Sequence, residues 1–286
     1  MNRFVCFLLL ASCGHTLSAN PTLLSETVWS DGAEDFGGYS GLELSDDGMH
    51  FTTITDRGIW VTTGDLVRKD GVITGVTNTQ EVSFPRPDGK LGERWADSEG
   101  LAIAPDGTIF VSTEGGRHRV FEFPAGAAKA IPLPRHPDFP KLQANSSLEA
   151  LAIGPDGALY TIPERSGRMT TPFPVYRYKD GAWDIPFRIP RVGEHLVSGA
   201  DVGPDNQLYI LERDFTGIGF KSRVRRFNLD GSGETTILDT SNGTHDNLEG
   251  ISVWRDPMGH IRITMISDDN FNFFQQTQIV EYQIDD

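Results

Sequence analysis

The sequence predicts an all-β protein, a β-propeller of four-stranded antiparallel blades, and three observations support this prediction. The motif Glu-Gly-Leu-Ala-Ile-Ala-Pro-Asp-Gly at 99–107 returns as Glu-Ala-Leu-Ala-Ile-Gly-Pro-Asp-Gly at 149–157, and weaker copies lie elsewhere in the 286 residues. Windows longer than about twelve residues lack the apolar periodicity of a helix. The 31 glycines and 17 prolines interrupt the chain too often for long helices. Repeats of this length are typical of propellers.

The copies of the motif are evenly spaced. Their first residues stand at positions 40, 99, 149, 198 and 249, which are 59, 50, 49 and 51 residues apart. Each copy predicts an apolar strand, a Pro-Asp-Gly turn and a second strand, followed by two more strands around another turn. The outer pairs are exemplified by residues 223–228 with 234–238 and by residues 175–178 with 182–187. Four-stranded units repeated around an axis are the blades of a propeller.

Five blades account for the chain if an N-terminal strand completes the last blade. A strand at 24–29 would pair there and close the ring, so that no long sheet edge stays open. Six blades would require one blade to have lost the motif, and a β-solenoid would have repeats shorter than about 30 residues. We therefore expect a single domain, residues 20–286, with five blades favoured over six.

Residues 1–19 have the pattern of an export signal. Arg3 precedes the apolar run 4–10, which is too short to span a bilayer. Cleavage before Asn20 would suit an ordinary signal peptide. Leu10-Ala11-Ser12-Cys13 instead resembles the box at which bacterial lipoproteins are cut and lipidated, although Cys13 also fits a plain apolar leader. We expect a periplasmic or secreted protein that contacts a membrane only through a lipid on Cys13, if at all.

The charge of the chain restricts its partners. The formal net charge of −15 repels phosphate backbones, so we expect no nucleic acid partner. The acidic excess fits a cation-binding protein, although most exposed carboxylates serve only solubility. Both cysteines, Cys6 and Cys13, lie in the leader, so the mature domain has no disulfide and we expect it to be a monomer stabilised by packing.

The repeat predicts two groups of acids on one face of the ring. In a propeller, residues that enter the inner strands and residues that leave the second strands meet on the same face. The first group is Glu99, Glu149 and Glu249, and the second group is Asp56, Glu114, Glu164, Glu212 and Asp268. Such a ring of carboxylates suits Ca²⁺, which takes six to eight oxygen ligands, and without a cation its crowding would be costly.

Arginines accompany the second group. Arg57, Arg165 and Arg213 each directly follow an acid, and guanidinium groups bind phosphate or carboxylate through paired hydrogen bonds. The same face could therefore bind a metal together with an anionic ester. The alternative is architectural, with the glutamates holding neighbouring blades together. Ser40 and Ser198 replace the glutamate in two blades, which an architectural device would not need to tolerate.

The motif also carries a family resemblance. Residues 97–101 and 107–114, echoed at 148–151 and 247–251, resemble the phytase-like family of exported bacterial proteins labelled "esterase-like activity of phytase". More distantly they resemble the alkaline β-propeller phytases, in which Ca²⁺ ions at the channel mouth bind phosphate and activate water. The resemblance implies that Arg57, Arg165 and Arg213 face a phosphate or ester. It also implies five metal ligands: Glu99, Glu114, Glu149, Glu164 and Glu249.

We therefore predict a calcium-dependent hydrolase of small anionic esters or phosphates. Glu164 would take a proton from water, and Arg57, Arg165 and Arg213 would stabilise developing negative charge. The calcium ligands would be Glu99, Glu114, Glu149, Glu249 and Asp268.

Two alternatives stay open. A lactonase of the gluconolactonase type would bind one divalent ion, for which Glu249, Asn247 and Asp201 are candidates. A non-catalytic propeller would bind a ligand or partner at the cell surface. The sequence has no Gly-x-Ser-x-Gly elbow and no His-Glu-x-x-His, so neither a serine esterase of the α/β-hydrolase type nor a zinc site is indicated.

Overall fold

The computed structural model of the protein describes residues 21–33, 36–56, 60–89, 97–115, 118–126 and 129–284. Within these ranges twenty strands form five four-stranded antiparallel sheets. One helix is found in the same ranges, a 3₁₀ turn at Phe139–Lys141. No helix in the described part of the chain is both long and apolar enough to cross a membrane. The predicted signal sequence with Cys13, and the predicted site residue Arg57, lie outside the described residues.

The strands fill the blades in chain order, except that the first strand, β1 (Thr22–Val28), belongs to the last blade. Blade 1 consists of β2 (Tyr39–Leu44), β3 (His50–Thr55), β4 (Trp60–Lys69) and β5 (Val72–Ser83). Blade 2 consists of β6 (Asp97–Ile103), β7 (Ile109–Glu114), β8 (Arg119–Phe123) and β9 (Ile131–Pro132). Blade 3 consists of β10 (Ala150–Ile153), β11 (Leu159–Ile162), β12 (Phe173–Lys179) and β13 (Ala182–Ile189). Blade 4 consists of β14 (Leu196–Val202), β15 (Gln207–Phe215), β16 (Phe220–Asn228) and β17 (Thr235–Asp239). Blade 5 consists of β18 (Asn247–Arg255), β19 (Ile261–Asp268), β20 (Gln278–Ile284) and β1.

The blades close into a ring. The inner strands β2, β6, β10, β14 and β18 contact one another in this order around a central channel, and β18 contacts β2. The N-terminal strand β1 pairs antiparallel with β20, with Val28 opposite Gln278. The predictions of five blades and of closure by the N-terminal strand are therefore confirmed, and the closing strand begins two residues earlier than its predicted range.

The Pro-Asp-Gly turns connect the inner strand to the second strand. The N–H of Gly107 donates to the carbonyl of Ala104 at 2.9 Å, and Asp106 accepts the N–H of Thr108 at 2.9 Å. Gly107 has a φ of +83°, which glycine adopts without a steric penalty. We call the face that carries these turns the lower face, and the face at which the inner strands begin the upper face.

The glutamate–glycine pair of the motif is explained by the close approach of neighbouring inner strands. The pairing of β6 with β7 shifts register around Glu99, and such a bulge re-aims side chains. A Cβ on Gly100 would lie 2.7 Å from the backbone nitrogen of Leu151 in the next blade. A Cβ on Gly199 would lie 2.4 Å from the backbone oxygen of Glu249. Glycine therefore lets adjacent blades meet, and the residue before it is placed at the channel.

Apolar side chains fill the spaces between blades. Between blades 4 and 5, for example, Leu211 and Val224 belong to the same buried cluster as Ile251 and Met265. This burial supplies the main favourable contribution to folding. The packed ring thereby fixes the positions of the residues at both ends of the channel.

Candidate metal and substrate site

The first residues of the five motif copies form the upper end of the channel. Ser40, Glu99, Glu149, Ser198 and Glu249 line it together, and none is more than 8% exposed. The free space there is about 10 Å³, which is roughly the room needed by one water molecule or ion. Three of the five positions are carboxylates, so the narrow end of the channel is acidic. We call these five residues the upper ring.

Three acids of the predicted second group lie beside the upper ring. Glu114 and Asp268 end β7 and β19, and Glu164 follows β11. All three are buried. Glu164 and Glu114 interact electrostatically with Glu149, and Asp268 interacts with Glu249. The structure therefore brings together six of the eight acids that the rotational repeat predicted on this face.

Glu212 does not belong to this assembly, although the sequence pattern placed it there. Its carboxylate accepts hydrogen bonds from Arg223 at 2.8 Å and from Arg225 at 2.8 and 2.5 Å. Arg223 is directly opposite Glu212 in the pairing of β15 with β16. Because both arginines are also buried, Glu212 is part of a structural ion cluster inside blade 4.

The tightest group of potential metal ligands is Asp97, Glu99 and Glu114. One carboxylate oxygen from each lies within 4.8 Å of the others. Two of the three were predicted ligands, and Asp97 was missed. It is opposite Glu114 in the pairing of β6 with β7, so its position two residues before Glu99 could have identified it. Of the other predicted ligands, Glu149 and Glu249 interact electrostatically with Glu99, and Asp268 interacts with Glu249.

Five of the carboxyl groups at the upper end have raised pKa values. Burial, followed by the charge of Glu149 and other neighbouring carboxylates, raises the pKa of Glu99 well above its usual range. Burial raises the pKa of Glu114 to about 7, and burial together with Glu249 raises the pKa of Asp268 to about 8. Burial also raises the pKa values of Glu149 and Glu249. Such a cluster keeps protons at neutral pH unless a cation replaces them.

Arg213 is the cation built into this cluster. Its guanidinium lies 3.1 Å from Glu249 and 3.4 Å from Glu164, and it donates to the side-chain oxygen of Asn247 at 2.9 Å. Burial opposes its ionisation, but the carboxylates, Glu249 first, raise the pKa of Arg213 further. Arg213 therefore links blades 3, 4 and 5 at the channel mouth.

Two further arginines lie at the mouth beside blade 3. Arg165 donates from Nε to Ser146 at 3.1 Å and to Glu164 at 3.3 Å, and its side chain is 44% exposed. Arg191 lies between β13 and β14, and burial and then the charge of Arg165 lower its pKa. The Nε of Arg191 has no hydrogen-bond partner among the described residues. The sequence pattern did not indicate Arg191, because no acid precedes it, although its loop leads into the upper end of β14.

The alternative architectural role of the glutamates is only partly supported. Hydroxyl groups make links between blades at this end: Ser112 donates to the carbonyl of Leu148 at 2.7 Å, and Ser198 donates to the carbonyl of Leu248 at 3.0 Å. Glu114 does accept one backbone N–H from the next blade, at 3.2 Å. Because small hydroxyls can join the blades, the glutamates of the upper ring are not required for this purpose.

The residues present fit a hard divalent cation. The available donors are carboxylate oxygens and the hydroxyl of Ser40, which is 3% exposed and has no hydrogen-bond partner among the described residues. Oxygen donors of this kind are preferred by Ca²⁺ and Mg²⁺. The set suggested for a lactonase does not come together, because Asp201 lines a cavity at the lower face and not the upper ring.

Comparison with known proteins identifies the family. Residues 34–271, more than half of the chain, match the Phytase-like family, described as "esterase-like activity of phytase". The chain belongs to this family. The resemblance carried by the motif is thereby confirmed over nearly all five blades. A comparison with curated proteins found no significant match for this phytase-like chain.

Solved structures share the fold of the phytase-like chain at low identity. A catalytic domain of an α-L-arabinofuranosidase from Coprinopsis cinerea is 9% identical, with a TM-score of 0.56 over 93% of this chain and 97% of that chain. An α-L-arabinofuranosidase from Podospora anserina is 12% identical, with a TM-score of 0.54 over 94% and 98%. A gluconolactonase from Xanthomonas campestris is 16% identical, with a TM-score of 0.48 over 86% and 72%. The likeness to the two arabinofuranosidases concerns the fold and not the reaction.

Proposed function

We propose that this phytase-like protein is an exported, calcium-dependent hydrolase of phosphate monoesters or other anionic esters, with its active site at the upper mouth of the channel. The observation that carries the proposal is the group of Asp97, Glu99 and Glu114, in which one carboxylate oxygen from each lies within 4.8 Å of the others. Glu99 and Glu114 are buried and Asp97 is half-buried. Membership of the family supports a hydrolase on this propeller.

Calcium suits this donor set better than zinc does. The three closest groups are carboxylates, with no histidine or cysteine in the tight group, and zinc sites favour nitrogen and sulfur ligands. Glu149, Glu249, Asp268 and the hydroxyl of Ser40 would complete an oxygen-rich site with the flexible geometry that Ca²⁺ accepts. The raised pKa values of these acids show how strongly the crowded site resists carrying several negative charges without a cation.

The protein's own residues would divide the chemical work. A bound divalent cation would polarise the phosphoryl or carbonyl oxygen of the substrate and make a nearby water more acidic. Glu164, held by Arg165 at 3.3 Å and by Arg213 at 3.4 Å, would accept a proton from that water. Arg213 would mainly position Glu164 and Glu249, because its guanidinium already contacts both.

The substrate anion would bind on the side of blade 3. Arg165 and Arg191 lie near each other there, and two adjacent guanidinium groups favour an anion between them. Arg57 is proposed for the same role. The net charge of −15 repels anions, so binding of a small anionic substrate would depend on these local arginines, and a nucleic acid partner is not expected. We further propose that the protein is a monomer in the periplasm or the medium, with or without a lipid on Cys13.

A substrate panel tests this function. The purified protein is assayed with p-nitrophenyl phosphate, p-nitrophenyl acetate, phytate and a sugar lactone, each with calcium and with chelator. We expect calcium-dependent turnover of an ester, with one or more bound calcium ions per chain by metal analysis. Lactone turnover alone would favour a gluconolactonase-type enzyme, and no turnover in any condition would favour a ligand-binding propeller.

A substitution in the upper ring separates catalysis from folding. Glu99→Gln should lower calcium-dependent turnover by at least about 100-fold, since it removes a ligand charge from the tight group. Its melting temperature in chelator should stay at or above that of the wild type. Glu122→Gln, the same change on the outer part of blade 2, serves as the control and should keep full activity.

A further inference from the structure

A large cavity lies at the lower face, away from the proposed active site. It has a volume of about 790 Å³, which is the size of typical small-molecule pockets. The lower ends of all five inner strands contribute to its wall, and Pro105 and Pro204 of two Pro-Asp-Gly-type turns lie at its rim. No residue of the upper ring lines it.

An apolar collar surrounds the inner part of this cavity. Each blade supplies one residue at the same level of its inner strand, and Trp254, which follows one of them, also lines the cavity. The members of the collar are Leu44, Ile103, Ile153, Val202 and Val253. Four of them stay partly exposed to the cavity, and Val253 is buried. The collar therefore offers a ligand an apolar surface that the fold itself does not cover.

Three of the five positions in the layer directly above the collar are polar, and two of these three are charged. Blades 1 and 4 place Glu43 and Asp201 there, whereas the other blades have Ala102, Ala152 and Ser252. Glu43, Asp201 and Ser252 all line the cavity. The two carboxylates thus come from blades that are not neighbours, and they interact electrostatically across the channel.

Joining the blades does not require these two charges. Asp201 accepts the N–H of Val253 in the next blade at 2.6 Å, and Glu43 accepts the N–H of Ile103 in its next blade. Ser252 does the same for the N–H of Leu44 at 2.9 Å with a neutral hydroxyl. The negative charge at two of the three positions is therefore more than the architecture needs.

The charges are also uncompensated within the protein. Burial, and then the charge of Asp201, raises the pKa of Glu43, and burial raises the pKa of Asp201 to about 6. No cationic side chain among the described residues offsets either carboxylate. The two basic residues at the rim are engaged elsewhere, since His50 contacts Asp65 at 2.5 Å and Arg255 donates to a backbone oxygen at 2.6 Å.

We propose that this cavity binds a small organic cation, an ammonium or amidinium group on an apolar body. The charged group lies at Glu43 and Asp201, and the apolar body packs against the collar and Trp254. Carboxylates, an aromatic ring and apolar walls are together complementary to such a ligand. The site is independent of the proposed hydrolase activity, because the two sites occupy opposite ends of the channel.

A matched series of ligands tests the proposal. Hexylammonium, hexan-1-ol and hexanoate have the same apolar chain and differ in charge. Isothermal titration of the whole protein, in chelator at pH 7.5, should show saturable binding of hexylammonium at least tenfold tighter than binding of the other two. Equal affinities for the ammonium and the alcohol, or no binding of the ammonium, would overturn the proposal.

Substitutions locate the binding. Glu43→Gln with Asp201→Asn keeps an acceptor oxygen for each backbone N–H and removes both charges, so the fold should persist by circular dichroism. Hexylammonium affinity should fall at least tenfold in this double variant and stay within twofold in Glu99→Gln at the upper ring. The reverse pattern would place the ammonium in the upper mouth and refute the site. Should the double variant unfold, Val202→Lys tests the same point by filling the collar with a cation, and unchanged binding would again refute the site.

Discussion

Raising the pH should weaken the metal-free protein, because buried carboxyl groups at the upper mouth hold protons that the unfolded chain would release. Burial raises the pKa of Glu114 from its usual 4.5 to about 7. Between these values the folded protein binds more protons than the unfolded chain, so the free energy of unfolding falls as the pH rises. A difference of about 2.5 pKa units corresponds to about 3 kcal/mol for this one group.

Urea unfolding in chelator at pH 5 and pH 8 measures the effect. The variant Glu114→Gln keeps an oxygen to accept the N–H of Ser147 but cannot titrate. Between the two pH values the wild type should lose about 2.5 kcal/mol more than the variant, because the unfolded chain is already partly ionised at pH 5. Calcium added at pH 8 should restore the stability of the wild type, since a ligand that binds only the folded state stabilises it.

The comparison is decisive because other titrating groups are common to both proteins. If the wild type and Glu114→Gln lose the same free energy between pH 5 and pH 8, Glu114 does not hold its proton in the folded protein. The crowded carboxylates would then lack the repulsion on which the cation site depends. A wild type that gains stability relative to the variant as the pH rises would refute the sign of the argument as well.

Three further substitutions probe the mouth and the ring. Arg213→Leu should lower the free energy of unfolding, measured with urea at pH 7, by about 3 to 5 kcal/mol, because its glutamate partners stay buried without a cation. Arg165→Gln, at a half-exposed position, should lower it by less than about 1 kcal/mol. Arg191→Ala should raise the KM for p-nitrophenyl phosphate about tenfold and leave the KM for neutral p-nitrophenyl acetate nearly unchanged. Equal changes in KM for both substrates would contradict an anion-binding role. Gly199→Ala should lower the free energy of unfolding by about 1 to 3 kcal/mol, because its Cβ would meet a backbone oxygen of the next blade at 2.4 Å. Gly75→Ala, which meets open space, is the control and should be tolerated.

The fold could be predicted from the sequence because one motif recurs in every blade. Five copies of one motif fix the number of blades, and the strand periodicity around each turn fixes the blade itself. The same repetition predicted that Glu99, Glu149 and Glu249 meet, since rotational symmetry brings equivalent positions to one end of the channel. The closing strand was found at Thr22–Val28 against a prediction of 24–29, because its boundary depends on its partner β20 and not on the motif.

The parts that sequence analysis missed depend on neighbours outside the motif. Glu212 occupies the repeated position, but its direction is decided by Arg223 across the strand pair and by Arg225, which the repeat does not contain. Asp97 joins the tight group because a particular register places it opposite Glu114. Arg191 reaches the mouth from a connection whose path follows from packing and not from spacing.

The two roles considered for the upper ring, joining blades and the proposed binding of a cation, can be separated in a single residue. Glycines and serine hydroxyls bring the inner strands together, so the charge of Glu149 opposes folding in the absence of metal. Glu149→Gln should therefore raise the melting temperature in chelator at pH 8 while weakening calcium binding, so that the wild type becomes the more stable protein at saturating calcium. Differential scanning calorimetry with and without calcium measures this reversal. A variant that melts at a lower temperature than the wild type in both conditions would show that Glu149 stabilises the ring itself. The glutamates of the upper ring would then serve blade packing and not metal binding.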